Sequence, residues 1–309
     1  MSKSFIHKKL RFFLVIITVV SIQHVGVEQT QAKVRPSDIN HPTDQFGLGR
    51  GYAPPGAIFD LNLWGGGGGI SDPYAARSQV GFFFNARSPF DSGELGISFG
   101  MFNHSYEGRT DKESGTYTTN FILDWRWRGG NRGVHDPYFG VGVTLPTRKM
   151  SGEGGFEGEA QLDAFQMALA SRFGGQNRWI WEPNTASAFF ETGGRATWGD
   201  FLLEGDLGAA YMYRVANSNV IENANLFIQA SVGLGLQGDY AGLTVGGGYA
   251  ITPLSLAEDV DQLHAKLTYT YVIKSKEYYA SIIVPIDAPA GLLAEQIGAT
   301  AMLGIQGQL

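Results

Sequence analysis

The 309-residue chain has no cysteine, which removes disulfides, thiolate metal sites, cysteine nucleophiles and the lipid-modified kind of secretion signal from consideration. Nor does it hold a run of the roughly 20 apolar residues that a bilayer-spanning helix requires. The candidate at 12–22 is too short. Alanine-rich and leucine-rich helical stretches are few. Beyond residue 32 the histidines are His41, His104, His135 and His264, with no pair at metal-ligand spacing and no HExxH. His104 and Ser105 are neighbours, so in a strand they point to opposite faces and cannot bond side chain to side chain without a bend. The glycine run 65–69 is not followed by Lys-Ser or Lys-Thr, and reads as a flexible loop, not a phosphate cradle. Residues 233–238 match GxGxxG literally, but strand alternation accounts for them and no helix follows. These absences leave no assigned catalytic residue, no metal site and no cofactor.

What is present is a secretion-type start. Lys3, Lys8, Lys9 and Arg11 form a positive region, 12–22 is the short apolar segment, and Ala32 offers a small residue for cleavage, so 1–32 reads as a signal peptide. A membrane anchor is the alternative reading of the same segment. Cleavage after Ala32 leaves 19 basic and 28 acidic residues, a balance that argues against nucleic acid as a partner. Residues 33–56 are polar and rich in proline and glycine, an irregular N-terminal extension. Residues 57–309 form the remaining domain. Glycine, at 43 residues, is about twice its usual share.

From residue 57 onward the chain alternates with a period of two. In 117–128, Tyr117, Phe121, Leu123, Trp125 and Trp127 fall on one face, with Asn120, Asp124, Arg126 and Arg128 on the other. Val80, Phe82 and Phe84 oppose Gln79, Asn85 and Arg87. Leu203, Leu207, Tyr211 and Tyr213 oppose Glu204, Asp206 and Arg214. Toward the end, a polar set including His264 and Lys266 alternates with apolar residues over 263–273, and Gly238-Asp239 marks a tight turn. Strands of about ten residues with tryptophan and tyrosine near their ends suit a wall between lipid and a wet lumen, with an aromatic girdle at each interface. A soluble sandwich would instead turn every eight to twelve residues or so and bury apolar faces against each other. The pattern therefore predicts an all-β fold: a closed, antiparallel, transmembrane up-and-down β-barrel of about 12 strands, within a range of 10–14.

A direct count gives about thirteen strands, whereas an even number is expected when both ends lie on one side of the membrane. Treating 57–64 as a lumen or rim segment restores about twelve. It also leaves the long stretches near Arg109 and Lys149 on the periplasmic side, against the usual loop asymmetry. Residues 106–114 and 146–158 read as long loops, 160–173 as a weakly alternating strand, and 174–185 as a loop or irregular strand end.

In the last strand, Ala301, Leu303, Ile305 and Leu309 share one face, and Thr300, Met302, Gln306 and Gln308 the other. This ending resembles the C-terminal signal of bacterial outer-membrane β-barrels, with leucine where an aromatic residue is commoner, and porin-like and transporter barrels of this size are the nearest kind. The resemblance implies residence in the outer membrane of a Gram-negative bacterium after signal cleavage. It also implies contact with outer-membrane lipids, and recognition by the barrel assembly machinery through the strand ending at Leu309. The expected function is a narrow channel or transporter for small solutes, with Asp124, Arg126, Arg128, Glu204, Asp206, His264 and Lys266 as lumen or constriction residues. Two alternatives stand beside it: a closed structural or adhesive barrel whose loops bind a partner, and a barrel-rim lipid hydrolase.

Overall fold

The computed structural model describes residues 58–69, 76–90, 93–107, 112–128, 135–147, 178–182, 184–215, 224–238, 241–251, 261–273, 276–287 and 299–308. The signal segment, the N-terminal extension, the weak strand expected at 160–173 and Leu309 lie outside them. Thirteen strand segments follow in order: β1 Ile58–Gly69, β2 Ala76–Phe90, β3 Gly93–Glu107, β4 Lys112–Thr118, β5 Phe121–Arg128, β6 His135–Leu145, β7 Thr185–Trp198, β8 Phe201–Arg214, β9 Ala224–Gln237, β10 Ala241–Ile251, β11 Asp261–Ile273, β12 Lys276–Asp287 and β13 Ala299–Gln308. A short helix, α1, spans Arg178–Trp181 ahead of β7.

β4 and β5 are one stave in two pieces, since both pair with β3. Every other sequence neighbour pairs antiparallel, and β1 closes the ring against β13 with Ile58 opposite Gln308. The result is a closed, antiparallel 12-strand barrel.

The break between β4 and β5 is a β-bulge. Met101 faces Thr118 and Ser98 faces Ile122, so three residues, 119–121, oppose two on β3. Thr119 holds the ladder together, its N–H donating to the Gly100 carbonyl at 3.0 Å and its hydroxyl oxygen accepting from the Gly100 N–H at 2.8 Å. The extra residue lets Thr119 and Asn120 both face inward, where both are buried. It also reverses the face expected of Tyr117, which lies on the inner side stacked on Phe102 at 5.5 Å, whereas Phe121 begins the outward set of β5.

Three further expectations are corrected. Residues 57–64 are not a rim segment: β1 is a wall strand, and the supposed glycine loop 65–69 is its second half, paired with β2 throughout and with β13 as far as Gly67. Strands with no side chains to alternate still form a ladder, because the hydrogen bonds are made by the backbone. A strand that the alternation did not mark, β7, begins at Thr185, the last residue of the stretch read as a loop or irregular strand end, and runs to Trp198. The charged connection 106–114 shrinks to 108–111, as β3 runs to Glu107 and β4 starts at Lys112.

With β1 in the wall, the conflict over loop lengths disappears. The end that carries Ile58 and Gln308 also carries the connections 91–92, 129–134, 199–200, 238–240 and 274–275, whereas the opposite end carries 70–75, 108–111, 146–184, 215–223, 252–260 and 288–298. The stretches near Arg109 and Lys149 thus belong to the end with the longer connections, the ordinary asymmetry of such barrels.

The outer surface is apolar on all sides, with Leu63, Val80, Phe99, Val141, Leu234, Val245, Leu267 and Leu303 among its exposed residues. Aromatic residues mark the short-turn end (Phe90, Trp127, Trp198, Phe201, Tyr271, Tyr278), and Tyr211 and Tyr213 lie toward the other. The inner surface is polar over much of its height, and its side chains are buried against one another.

Candidate functional site

The lumen has two storeys, and the strand register explains both. Toward the short-turn end it holds charged and hydroxyl groups. Arg87, Gly96 and Asp124 lie opposite one another on β2, β3 and β5. The middle position has no side chain, so the Arg87 guanidinium reaches across β3 to the Asp124 carboxylate, with Nη2 to Oδ2 at 2.7 Å and both residues almost fully buried. A Cβ at Gly96 would sit 2.6 Å from Asp124 Oδ1 and 2.9 Å from Arg87 Cζ. The glycine is therefore part of the ion pair.

The same device recurs one level away. Tyr138, Gly193 and Asp206 lie in one row across β6, β7 and β8. The Tyr138 hydroxyl passes over Gly193 and donates to Asp206 Oδ1 at 2.8 Å. The other oxygen, Oδ2, accepts from Ser231 on β9 at 2.6 Å. The Arg126 guanidinium lies over the Tyr138 ring, 4.7 Å from its centroid, a distance at which a cation is attracted to the ring face. Arg126, Tyr138, Asp206 and Ser231 thus connect four staves. At the seam, Tyr279 on β12 lies over Gly304 on β13 and donates to Asp60 Oδ1 on β1 at 3.0 Å, tying the last two strands to the first.

Toward the long-loop end the interior turns apolar. Trp64, Phe83, Phe102, Ile122, Phe189, Met212, Phe227 and Met302 project inward from eight staves and pack with Trp179 and Ile180 of α1. The described part of the connection between β6 and β7 that carries α1 therefore lies inside the barrel. Trp179 is wholly buried, stacked on Phe189 (5.4 Å, 23°) and edge-on to Phe227 (5.6 Å, 75°). Asn120 fastens it. Its Nδ2 donates to the carbonyls of Trp179 at 3.1 Å and Glu182 at 2.8 Å, and its backbone N–H donates to the Ile180 carbonyl at 2.9 Å. The bulge that turns Asn120 inward is thus what supplies these contacts. A longer ion pair, Glu182 to Arg214 at 3.8 Å, adds to the fastening at the far side.

Of the residues singled out from sequence, Asp124, Arg126, Glu204, Asp206, His264 and Lys266 are all buried on the inner face. Asp124 and Arg126 lie on one stave and engage different partners. Arg128 pairs with Tyr138 in the backbone register, and its side chain lies outside the described residues. His264 and Lys266 are on β11, three staves from Glu204 and Asp206 on β8. The roles of Tyr138, Gly96, Gly193 and Asn120 were not assigned from sequence. They depend on which residues of different strands lie opposite one another, and the period-two pattern does not contain that. His104 is buried at the long-loop end, its Nδ1 3.1 Å from Gln79 Nε2. No group of three or more metal-ligating side chains occurs among the described residues.

No protein-family model and no curated protein sequence matches the chain. Solved structures do. An outer-membrane channel from Pseudomonas putida F1 superposes with a TM-score of 0.57 at 10% identity, over 86% of this chain and 98% of that one. The translocator domain of the autotransporter NalP from Neisseria meningitidis matches at a TM-score of 0.46 and 11% identity, over 83% and 89% of the two chains. The β domain of the Bordetella autotransporter BrkA matches at 0.45 and 12%, over 82% and 100%. The chain has the fold of the bacterial outer-membrane β-barrels.

Proposed function

We propose that the protein is an outer-membrane channel or transporter for small solutes, closed in this conformation by α1. One observation carries the reading: the wall is a complete 12-strand barrel with a polar inner face, and what fills its apolar storey includes a one-turn helix from a connecting segment, held by a few hydrogen bonds. A barrel of this size is wider than the eight-stranded kind that side chains can fill and narrower than the 16-stranded open porins. A separate closure element is what a gated path needs. The fold match to an outer-membrane channel over most of both chains supports the same reading. The shorter connections would face the periplasm and the longer ones the exterior. Asp124, Arg126, Arg128, Glu204 and Asp206 would line the path on the periplasmic side of α1, with Lys266 near mid-height and His264 toward the long-loop end of β11. Residues 1–32 would direct export, and the strand ending at Leu309 would be read by the assembly machinery.

The buried Arg87–Asp124 pair and the apolar storey also favour a second reading, a permanently closed structural or adhesive barrel. Planar-bilayer conductance of the refolded protein lacking 1–32 separates the two, with heat-modifiable gel mobility to establish folding. The channel reading predicts discrete current steps, rare in the intact protein and frequent when 148–182 is replaced by a short turn. A folded barrel that stays silent in both forms overturns it.

A further inference from the structure

The apolar storey carries the reading one step further, to the class of solute. Among the described residues, five of the side chains it takes from the wall are aromatic: Trp64, Phe83, Phe102, Phe189 and Phe227, all buried. Two others are Met212 and Met302, and a methionine sulfur packs favourably against the edge of a ring. A seal needs apolar side chains but has no need for so many rings. Sites for small molecules, by contrast, are lined mainly by apolar and aromatic groups.

What α1 places there indicates what fits. The Phe189 ring occupies the space that a Cβ at Gly142 on β6 would need. The Trp179 indole stacks on that ring at 5.4 Å and 23°, and meets Phe227 edge-on at 5.6 Å and 75°. These are the two arrangements that aromatic pairs prefer. The wall therefore holds one flat ring system from two sides. The fit is incomplete at one atom: Trp179 is wholly buried, yet among the described residues its Nε1–H finds no hydrogen-bond acceptor. A buried donor left in that state weakens the docked form. A free ring compound without such a donor makes the same two ring contacts and leaves no N–H unsatisfied in the indole's place. What it has to outweigh is the set of bonds from Asn120 to the α1 carbonyls.

We infer that the apolar storey is a binding site for uncharged solutes of one or two aromatic rings, whose place the Trp179 indole holds in the closed barrel, and that such a solute opens the path by displacing α1. This rests on the channel reading above. A ligand shifts a two-state equilibrium by its preference for one state, and a solute in the place of the indole binds only the barrel from which α1 has withdrawn. The test is fluorine NMR of the full chain without 1–32, labelled with fluorotryptophan and folded in detergent micelles, with the Trp179 resonance assigned by its loss in Trp179→Phe. Acetophenone is the probe, and cyclohexyl methyl ketone, the same ketone on a saturated ring, is its control. Acetophenone is expected to move the Trp179 resonance to the position of a water-exposed indole, at a concentration about tenfold lower than the control requires, because only the aromatic ring regains the two ring contacts. In calorimetry Trp179→Ala should bind acetophenone about tenfold more tightly, since no indole competes for the site. Adding Phe189→Leu should then weaken that binding about three- to tenfold. An unmoved Trp179 resonance, or an equal response to both ketones, overturns the inference and leaves the channel standing. So does a shift shared equally by Trp127 and Trp198, which are exposed on the outer face and report partitioning into the micelle. Silence of the folded protein in the conductance test above removes the channel reading itself, whatever the Trp179 resonance does.

Discussion

Asn120→Leu is expected to turn a mostly closed barrel into a mostly open one. The substitution keeps the size of the side chain and removes its donors, leaving the carbonyls of Trp179 and Glu182 inside the barrel without the Asn120 Nδ2 bond. An unsatisfied buried acceptor costs about 1–3 kcal/mol, and every 1.4 kcal/mol is a factor of about ten in an equilibrium. The docked state of α1 should lose about ten- to a hundred-fold in population, read as a matching rise in open probability in single-channel recordings. Asn120→Asp is the companion variant. It retains the shape and removes the same two donated bonds, so it should open the barrel too. Thr116→Leu, on the exposed face of the same stave, should leave gating unchanged. If Asn120→Leu and Asn120→Asp both fold and gate like the unmodified protein, Asn120 is not the fastening.

The second large effect concerns stability. Gly96→Leu places a side chain where the Arg87 guanidinium crosses β3 to reach Asp124. Removing one partner of a buried ion pair costs on the order of 3–5 kcal/mol because the other charge is left uncompensated, and forcing the two apart inside the barrel should cost a similar amount. Urea unfolding from lipid vesicles should show a loss of that size. Removing both charges is a different experiment: Arg87→Leu with Asp124→Leu leaves neither member of the pair facing an empty site, and should be less destabilising than either single change. Ile97→Leu, one residue along β3 but facing out, should be nearly neutral. A Gly96→Leu protein as stable as the unmodified one would show that the pair tolerates separation and that the glycine is not required by it.

Much of the wall could be read from the sequence, because lipid outside and polar groups inside impose a period of two wherever side chains exist. The inward set Gln79, Asn85 and Arg87 and the outward set Val80, Phe82 and Phe84 are where the alternation puts them. The failures have physical causes. In β1 the alternation stops at the glycine run although the strand does not, since backbone pairing needs no side chains. In β7 the outward positions include Thr192, Gly194 and Ala196, which are small or polar, and inward Phe189 is large, so the contrast that marks a strand is weakened there. At 119–121 a single extra residue shifts the face of everything before it, and Tyr117 changes sides. The site was less legible than the wall. Asp124 and Arg126 could be placed on the inner face, but that one reaches Arg87 and the other lies over Tyr138 follows from register across three staves. Inward glycines at Gly96 and Gly193 make such reach possible, and in the sequence they read only as room for curvature.

Accessibility of a single cysteine behind the helix tests the central claim most directly, and the cysteine-free chain makes it clean. Met212 faces inward on β8 within the apolar storey that α1 completes. Met212→Cys should resist a charged, membrane-impermeant thiol reagent added from the long-loop side, and should react readily once Asn120→Leu is added. Equal labelling of Met212→Cys with and without Asn120→Leu would contradict closure of the lumen by α1.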